Sequence, residues 1–159
     1  MQVKSRHHLR SDAVAALEER ISEGLGVDLE ADTYERVEFE DEDLEVILVD
    51  GEPQVATFDD EEFLTVRGAN AHDPERRLVT VDAGAISFVS DGADVMRPGI
   101  TEASEDIETG DLVVIAEETH GKVLAVGRAR ADGTEMVGDE GKVVDSLHHV
   151  GDDLYEFTG

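Results

Sequence analysis

The stretch from Asp82 to Ile100, DAGAISFVSDGADVMRPGI, constrains this chain more than any other. It sets two Gly-Ala pairs, Gly84-Ala85 and Gly92-Ala93, on either side of the apolar Ile86, Phe88 and Val89, and closes on Met96-Arg97-Pro98-Gly99. Glycine admits positive φ and close approaches that a Cβ forbids, so each pair marks a place where main chain nears a neighbour or a ligand. Pro98 biases Arg97 to an extended conformation, and the guanidinium is expected to stand on a stiff turn. The pattern predicts a short helix over Gly84 to Ser90, capped by Asp82, followed by a binding loop that Asp94 shapes. Ile86, Phe88 and Val89 are assigned to core packing, whereas Met96 fits either the core or the loop surface.

The flanking segments read as strands separated by glycine: Leu78 to Val81, then GDLVVIAE (Gly110 to Glu117), KVLAVGRAR (Lys122 to Arg130) and Val143 to His149. Many short strands with turn signals at Gly110-Asp111 and Asp132-Gly133 predict a small barrel. A helical turn is placed within Glu135 to Glu140. The first half differs. Ser11 and Asp12 offer a cap and a negative first turn for a helix with Val14, Leu17, Ile21 and Leu25 on one face, ended by Gly24 and Gly26. Strands are predicted at Arg36 to Glu40, Leu44 to Asp50 and Val55 to Phe58, with a turn at Asp50-Gly51. Phe63, Leu64 and Val66 fit a strand or a short helix. His72-Asp73-Pro74-Glu75 reads as a linker, which divides the chain into residues 1–76 and 77–159.

The net charge is −27, from 13 basic and 40 acidic residues. The acid is spread through segments with apolar periodicity, unlike a disordered acidic tail. We read this as adaptation to concentrated salt, where the Debye length shrinks to roughly 3 Å at 1 M and self-repulsion is screened. Against that background Lys4, Arg6, His7, His8 and Arg10 form a basic start with no acid before Asp12. They fit either an arm paired with the acidic surface or a phosphate contact through Lys4, Arg6 and Arg10. No apolar run approaches the roughly 20 residues that span a bilayer, and no secretion-type apolar segment follows the N-terminus, so a cytoplasmic protein without membrane contact is expected. Cysteine is absent, which removes disulfides, thiolate metal sites and a cysteine nucleophile.

Catalytic patterns are missing: no G-x-S-x-G, P-loop, G-x-G-x-x-G, H-E-x-x-H or complete EF-hand loop occurs. Asp82 and Asp94 could be paired as acid and base in a small carboxylate-dependent hydrolase or transferase, but 40 acidic residues make such pairs common. His148 and His149 fall on one strand and point to opposite faces, a poor start for a chelate. No enzyme activity, metal or cofactor is therefore assigned. Arg128 and Arg130 share a strand face and either extend a cationic stripe or neutralise Glu117 and Glu118. With 4% aromatic residues, a sheet-wide base-stacking platform is not expected.

The ordered blocks from Asp82 to Phe157 resemble the PUA domain, an RNA-binding module. With the preceding α+β segment and its ILVDGEP (Ile47 to Pro53), the chain is similar to archaeal PUA-domain proteins related to the malignant T-cell-amplified-sequence and ligatin families. Where those relatives carry an aromatic-Pro-Thr-Leu stretch, this chain has Phe63-Leu64-Thr65-Val66. The resemblance implies an α+β protein, with a small N-terminal α+β domain followed by a PUA-type β pseudo-barrel. It also implies a ribosome- or tRNA-linked role in translation initiation or recycling. Partners would be a tRNA 3′ end or rRNA, and the small ribosomal subunit or a translation-factor-like protein. The implied RNA contacts are Gly84, Ala85, Gly92, Ala93, Met96, Arg97 and Pro98, joined by Lys142 and His148. An accessory RNA-binding subunit of a tRNA- or rRNA-modifying enzyme is the alternative.

Overall fold

The computed structural model describes residues 1–159. Strand β1 (Val3–His8) opens the chain and leads into helix α1 (Ser11–Leu25). Leu17, Ile21 and Leu25 recur every four residues and are buried, with Val14 packed beside them, as the apolar spacing requires. The N-cap is one residue earlier than expected. Arg10 takes the extended N-cap position without a side-chain bond, Ser11 is already helical, and Asp12 supplies the first-turn charge. Gly26, at φ 69°, ends the helix in the left-handed conformation; Gly24 lies inside it.

Strands β2 (Tyr34–Phe39), β3 (Val46–Val49), β4 (Glu52–Phe58) and β5 (Glu61–Leu64) follow as an antiparallel meander, giving a five-stranded sheet in the order β1-β2-β3-β4-β5. All four residues of β3 are buried, which explains its continuous apolar run. The segment with two readings contains both elements. Phe63 and Leu64 end β5, and Thr65 then caps α2 (Val66–His72) by accepting the Gly68 N–H. The expected linker begins inside this helix, since His72 is its last residue and Asp73 its left-handed C-cap.

The second sheet has six strands in the order β7-β11-β10-β9-β6-β8 and curls into a nearly closed pseudo-barrel. Its members are β6 (Leu78–Val81), β7 (Val95–Met96), β8 (Ile100–Ala103), β9 (Leu112–Glu117), β10 (Val123–Ala129) and β11 (Lys142–His149). Only the β6–β9 pair is parallel. A single-turn 3₁₀ helix at Gly133–Glu135 stands slightly before the helical turn expected from Glu135.

β9 faces two cores. Val113 and Ile115 fill the barrel, while Leu112, Val114 and Ala116 join the apolar cluster beneath the first sheet. Helix α2 lies between. Asn70 donates to the Val123 carbonyl at 3.1 Å and accepts the Val123 N–H at 2.8 Å, a side-chain amide acting as an extra strand against β10. The chain's end returns to the first sheet: Phe157 meets Phe39 edge-on at 5.1 Å, and Arg67 lies over the Tyr155 ring and donates to the Tyr155 carbonyl.

Helix α2 can sit this close to β4 because of Gly68, where a Cβ would collide with the Gln54 carbonyl. Overpacking of such a site costs about 1–3 kcal/mol. Gly68→Ala is therefore expected to lower unfolding stability by about that amount, read from urea denaturation against the parent protein.

Candidate nucleic-acid interface

The Asp82–Ile100 segment hangs between β6 and β8. Asp82 accepts the Ala85 N–H at 3.1 Å, the expected cap, and a 3₁₀ turn at Ala83–Ala85 leads into α3 (Ile86–Ser90). The two glycine pairs differ in use. Gly92 has φ 93°, and a Cβ there would stand 2.8 Å from His149 Nε2, so the left-handed turn lets the imidazole approach. Gly84 does not adopt positive φ and lies exposed in the 3₁₀ turn. Ala85 packs partly against the barrel core.

Phe88 does not enter the core. It is 66% exposed, because Ile86 and Val89, three residues apart, take the inward face of a helix only five residues long. Met96 is 48% exposed, and Ala93 and Pro98 are exposed too. The helix and following loop thus present an aromatic ring, a thioether and main chain, with the exposed, unpaired Asp91 carboxylate beside them.

The cations are held differently from the sequence expectation. Arg97 is not extended; it begins a 3₁₀ turn, Arg97–Gly99. Its Nε donates to the Glu135 carbonyl at 2.9 Å, its Nη1 to the Glu140 carbonyl at 3.1 Å, and its main-chain N–H to Gly141. Glycines at 138 and 141 let the 135–141 loop lie against this side chain, since a Cβ at either would stand within 3.0 Å of it. Arg97 therefore fixes that loop and keeps only part of its donor capacity. Lys142 pairs with Asp94 at 3.0 Å, and Asp94 also accepts the Ser146 N–H at 2.8 Å. Those two contacts, the N–H bond first, hold the Asp94 carboxyl below its ordinary range. Asp94 shapes the loop by tying β7 to β11.

The N-terminal cations lie on or beside β1, in the other sheet, and share no hydrogen bond or ion pair with the Arg97 turn. Arg6 pairs with Glu35 at 3.3 Å and Arg10 with Asp12 at 3.5 Å, whereas Lys4 is exposed and unpaired. Arg128 pairs with Asp59 and Glu61, and Arg130 with Asp145, in place of Glu117 and Glu118. Glu117 instead is buried and accepts the N–H groups of Thr119, His120 and Lys122.

His148 is corrected outright as an RNA contact: it is 1% exposed. The Val66 N–H, at the start of α2, donates to its Nε2 at 3.1 Å, which leaves the proton on Nδ1 to be donated to Asp152 at 2.9 Å. The imidazole stacks on Phe58 and bolts the barrel to the first sheet. His149 is half-buried, with Nδ1 close to the Ser90 and Val150 carbonyls.

Burial pushes the Asp152 carboxyl up, but the hydrogen bond from His148 and the N–H groups of His149 and Tyr155 outweigh it and hold it below its ordinary range. A folded-state value below the unfolded one, about 3.9 for Asp, stabilises the fold above that pH, and the contribution is lost as pH falls through the folded value. Asp152→Asn is expected to cost about 1–3 kcal/mol at neutral pH, with the gap to the parent closing below about pH 4. Urea titrations across that range measure both.

A nearly closed six-strand barrel with a capped helix and exposed loop between its first strands defines the class: residues 77–151 match the PUA domain. The chain is 44% identical over 119 residues to the uncharacterized protein MJ1432 of Methanocaldococcus jannaschii, covering 74% of each. It is 40% identical over 88 residues to translation machinery-associated protein 20 of Saccharomyces cerevisiae, spanning 50% of this chain and 48% of that protein. The crystal structure of hypothetical protein PH0734.1 from Pyrococcus horikoshii superposes with a TM-score of 0.87 at 32% identity, over 98% of this chain and 100% of that one. The chain belongs to the PUA-domain family that these proteins share with the malignant T-cell-amplified-sequence proteins.

Proposed function

We propose that this chain is a non-enzymatic RNA-binding protein of translation. In this reading the barrel holds a tRNA 3′ end or a segment of rRNA, and the N-terminal sheet domain docks to the small ribosomal subunit or a translation-factor-like protein. The relationship to translation machinery-associated protein 20 supports the setting. The observation that carries the contact surface is the 66% exposure of Phe88 on a helix and loop whose other residues are mostly small or apolar, Asp91 being the exposed charge.

Such a surface suits unpaired bases. A ring like Phe88 stacks on a base face, and the exposed main chain around Gly84 and Ala93 offers hydrogen bonds without side-chain entropy. Arg97 contributes by holding the 135–141 loop and offering its remaining donors to a phosphate. With most cations already engaged, counterion release supplies little of the binding energy. That suits the concentrated salt we infer from the −27 charge.

The test is binding of deacylated tRNA, with and without its CCA end, and of small ribosomal subunits, in multimolar KCl. Phe88→Ala is expected to weaken RNA binding by about tenfold, in line with a stacking contribution of about 1–3 kcal/mol. Arg97→Ala should weaken it as well, and removal of CCA should abolish the tRNA signal if the end is the target. A folded protein that binds neither ligand overturns direct RNA recognition and leaves Phe88 as an anchor for a protein partner.

A further inference from the structure

We propose that the groove between the N-terminal sheet and the end of β11 binds a basic, extended peptide segment of a protein partner. The partner's arginine or lysine side chains would meet the groove's carboxylates, and an apolar side chain its floor. This surface shares only the buried His148 with the RNA contacts considered above, so the two readings stand or fall separately.

The groove measures about 860 Å³, within the range of sites that take several side chains. Five of its 13 lining residues are apolar: Met1, Leu44, Phe58, Leu147 and Leu154. Leu147 is the unusual one, 41% exposed on β11 beyond the Lys142–Val144 stretch that pairs with β7. The cause is a bulge. β11 pairs His148 with Val126 and Ser146 with Gly127, so Leu147 has no cross-strand partner and its side chain is re-aimed outward. An exposed leucine held by a rigid sheet is an anchor point for an apolar side chain of a ligand.

Carboxylates are common in this chain, so acid alone identifies nothing. What separates this rim is the lack of compensation. Glu42, Asp43, Asp60 and Asp153 line the groove without an ion-pair partner and no lysine or arginine lines it; the Met1 ammonium at its edge is already taken by Asp41, and Asp59 by Arg128. Elsewhere eight of the 13 basic side chains pair with carboxylates, as Arg36 does with both Glu45 and Glu62. The inner polar groups are satisfied internally: Thr57 accepts the Glu45 N–H, and Asp152 is held by His148. The exposed rim charges are therefore free to recruit a cationic ligand. Phosphates would be repelled, and a second copy of a chain at −27 is a poor fit. An alternating Arg/Lys and apolar segment complements both floor and rim.

The probe is a fluorescein-labelled decapeptide alternating arginine and leucine, followed by anisotropy with the full chain in physiological and in multimolar KCl. We expect saturable binding that weakens with salt but persists. Leu147→Ser should weaken it about tenfold, and Glu42→Gln with Asp43→Asn by a similar factor at physiological salt. The control, Glu102→Gln with Glu105→Gln, removes two exposed carboxylates elsewhere and should change little. Leu147 is exposed, so its truncation spares the core, and equal melting temperatures will show this. The proposal is overturned if the peptide does not bind, if the control pair weakens it as much as the groove pair, or if Leu147→Ser has no effect. It is equally overturned if Leu147→Ser abolishes self-association in light scattering, which would give the groove to a second copy.

Discussion

The structure depends on one shared strand pair. β9 and β10 close the barrel with one set of side chains and floor the N-terminal cluster with another, so neither sheet has a complete core alone. Val113, Ile115 and Ala125 point one way, and Leu112, Val114, Val123 and Val126 the other. The bulge between Val123 and Ala125 makes this division possible, since it puts Leu124 and Ala125 together in the barrel core where strict alternation would separate them. The polar contacts follow from that apolar choice. Asn70 meets β10 where the carbonyl of Val123 would lie unsatisfied, and His148 receives the N–H that α2 leaves free at its start. Burying polar groups at a joint is tolerable only when each finds a partner, as the Asn70 amide and the His148 ring do here.

This arrangement explains which parts of the fold are legible in the sequence. β3 and β9 read as uninterrupted apolar runs because both faces are covered, and α1 declares itself by the spacing of Leu17, Ile21 and Leu25. The 59–71 segment resists a single assignment for a physical reason: it is too short for a period to develop, and strand and helix meet at Thr65. The one local sign is Thr65 itself, whose hydroxyl accepts the N–H three residues on. His148 is harder still. Nothing on its strand announces that a helix start 82 residues earlier in the chain will donate to its ring.

The candidate site is legible in outline and misread in its side chains. The glycine pairs and Pro98 locate the loop, and the cap at Asp82 is where the sequence places it. Phe88 is misread because apolar residues at positions 86, 88 and 89 look like one face, although in a helix only 86 and 89 align. Arg97 is misread because its environment comes from residues 135 to 141, whose glycines say little until the loop is folded over it. Sequence shows that a guanidinium stands in the loop; only the fold shows that main-chain carbonyls occupy it.

The state of the cations bears on how such a surface recognises a ligand. Of its basic side chains, only Lys4 and Lys122 lack both an ion pair and a hydrogen-bond acceptor, while Arg67, Arg76 and Arg97 are spent on carbonyls. Cations used this way stiffen loops and joints and release few counterions on binding. Recognition is then left to shape, stacking and main-chain hydrogen bonds, which salt screens little. An exposed phenylalanine and an exposed leucine, each displayed by a rigid element, become the sensible anchors. A surface of carboxylates around them supplies hydration and contrast more than attraction.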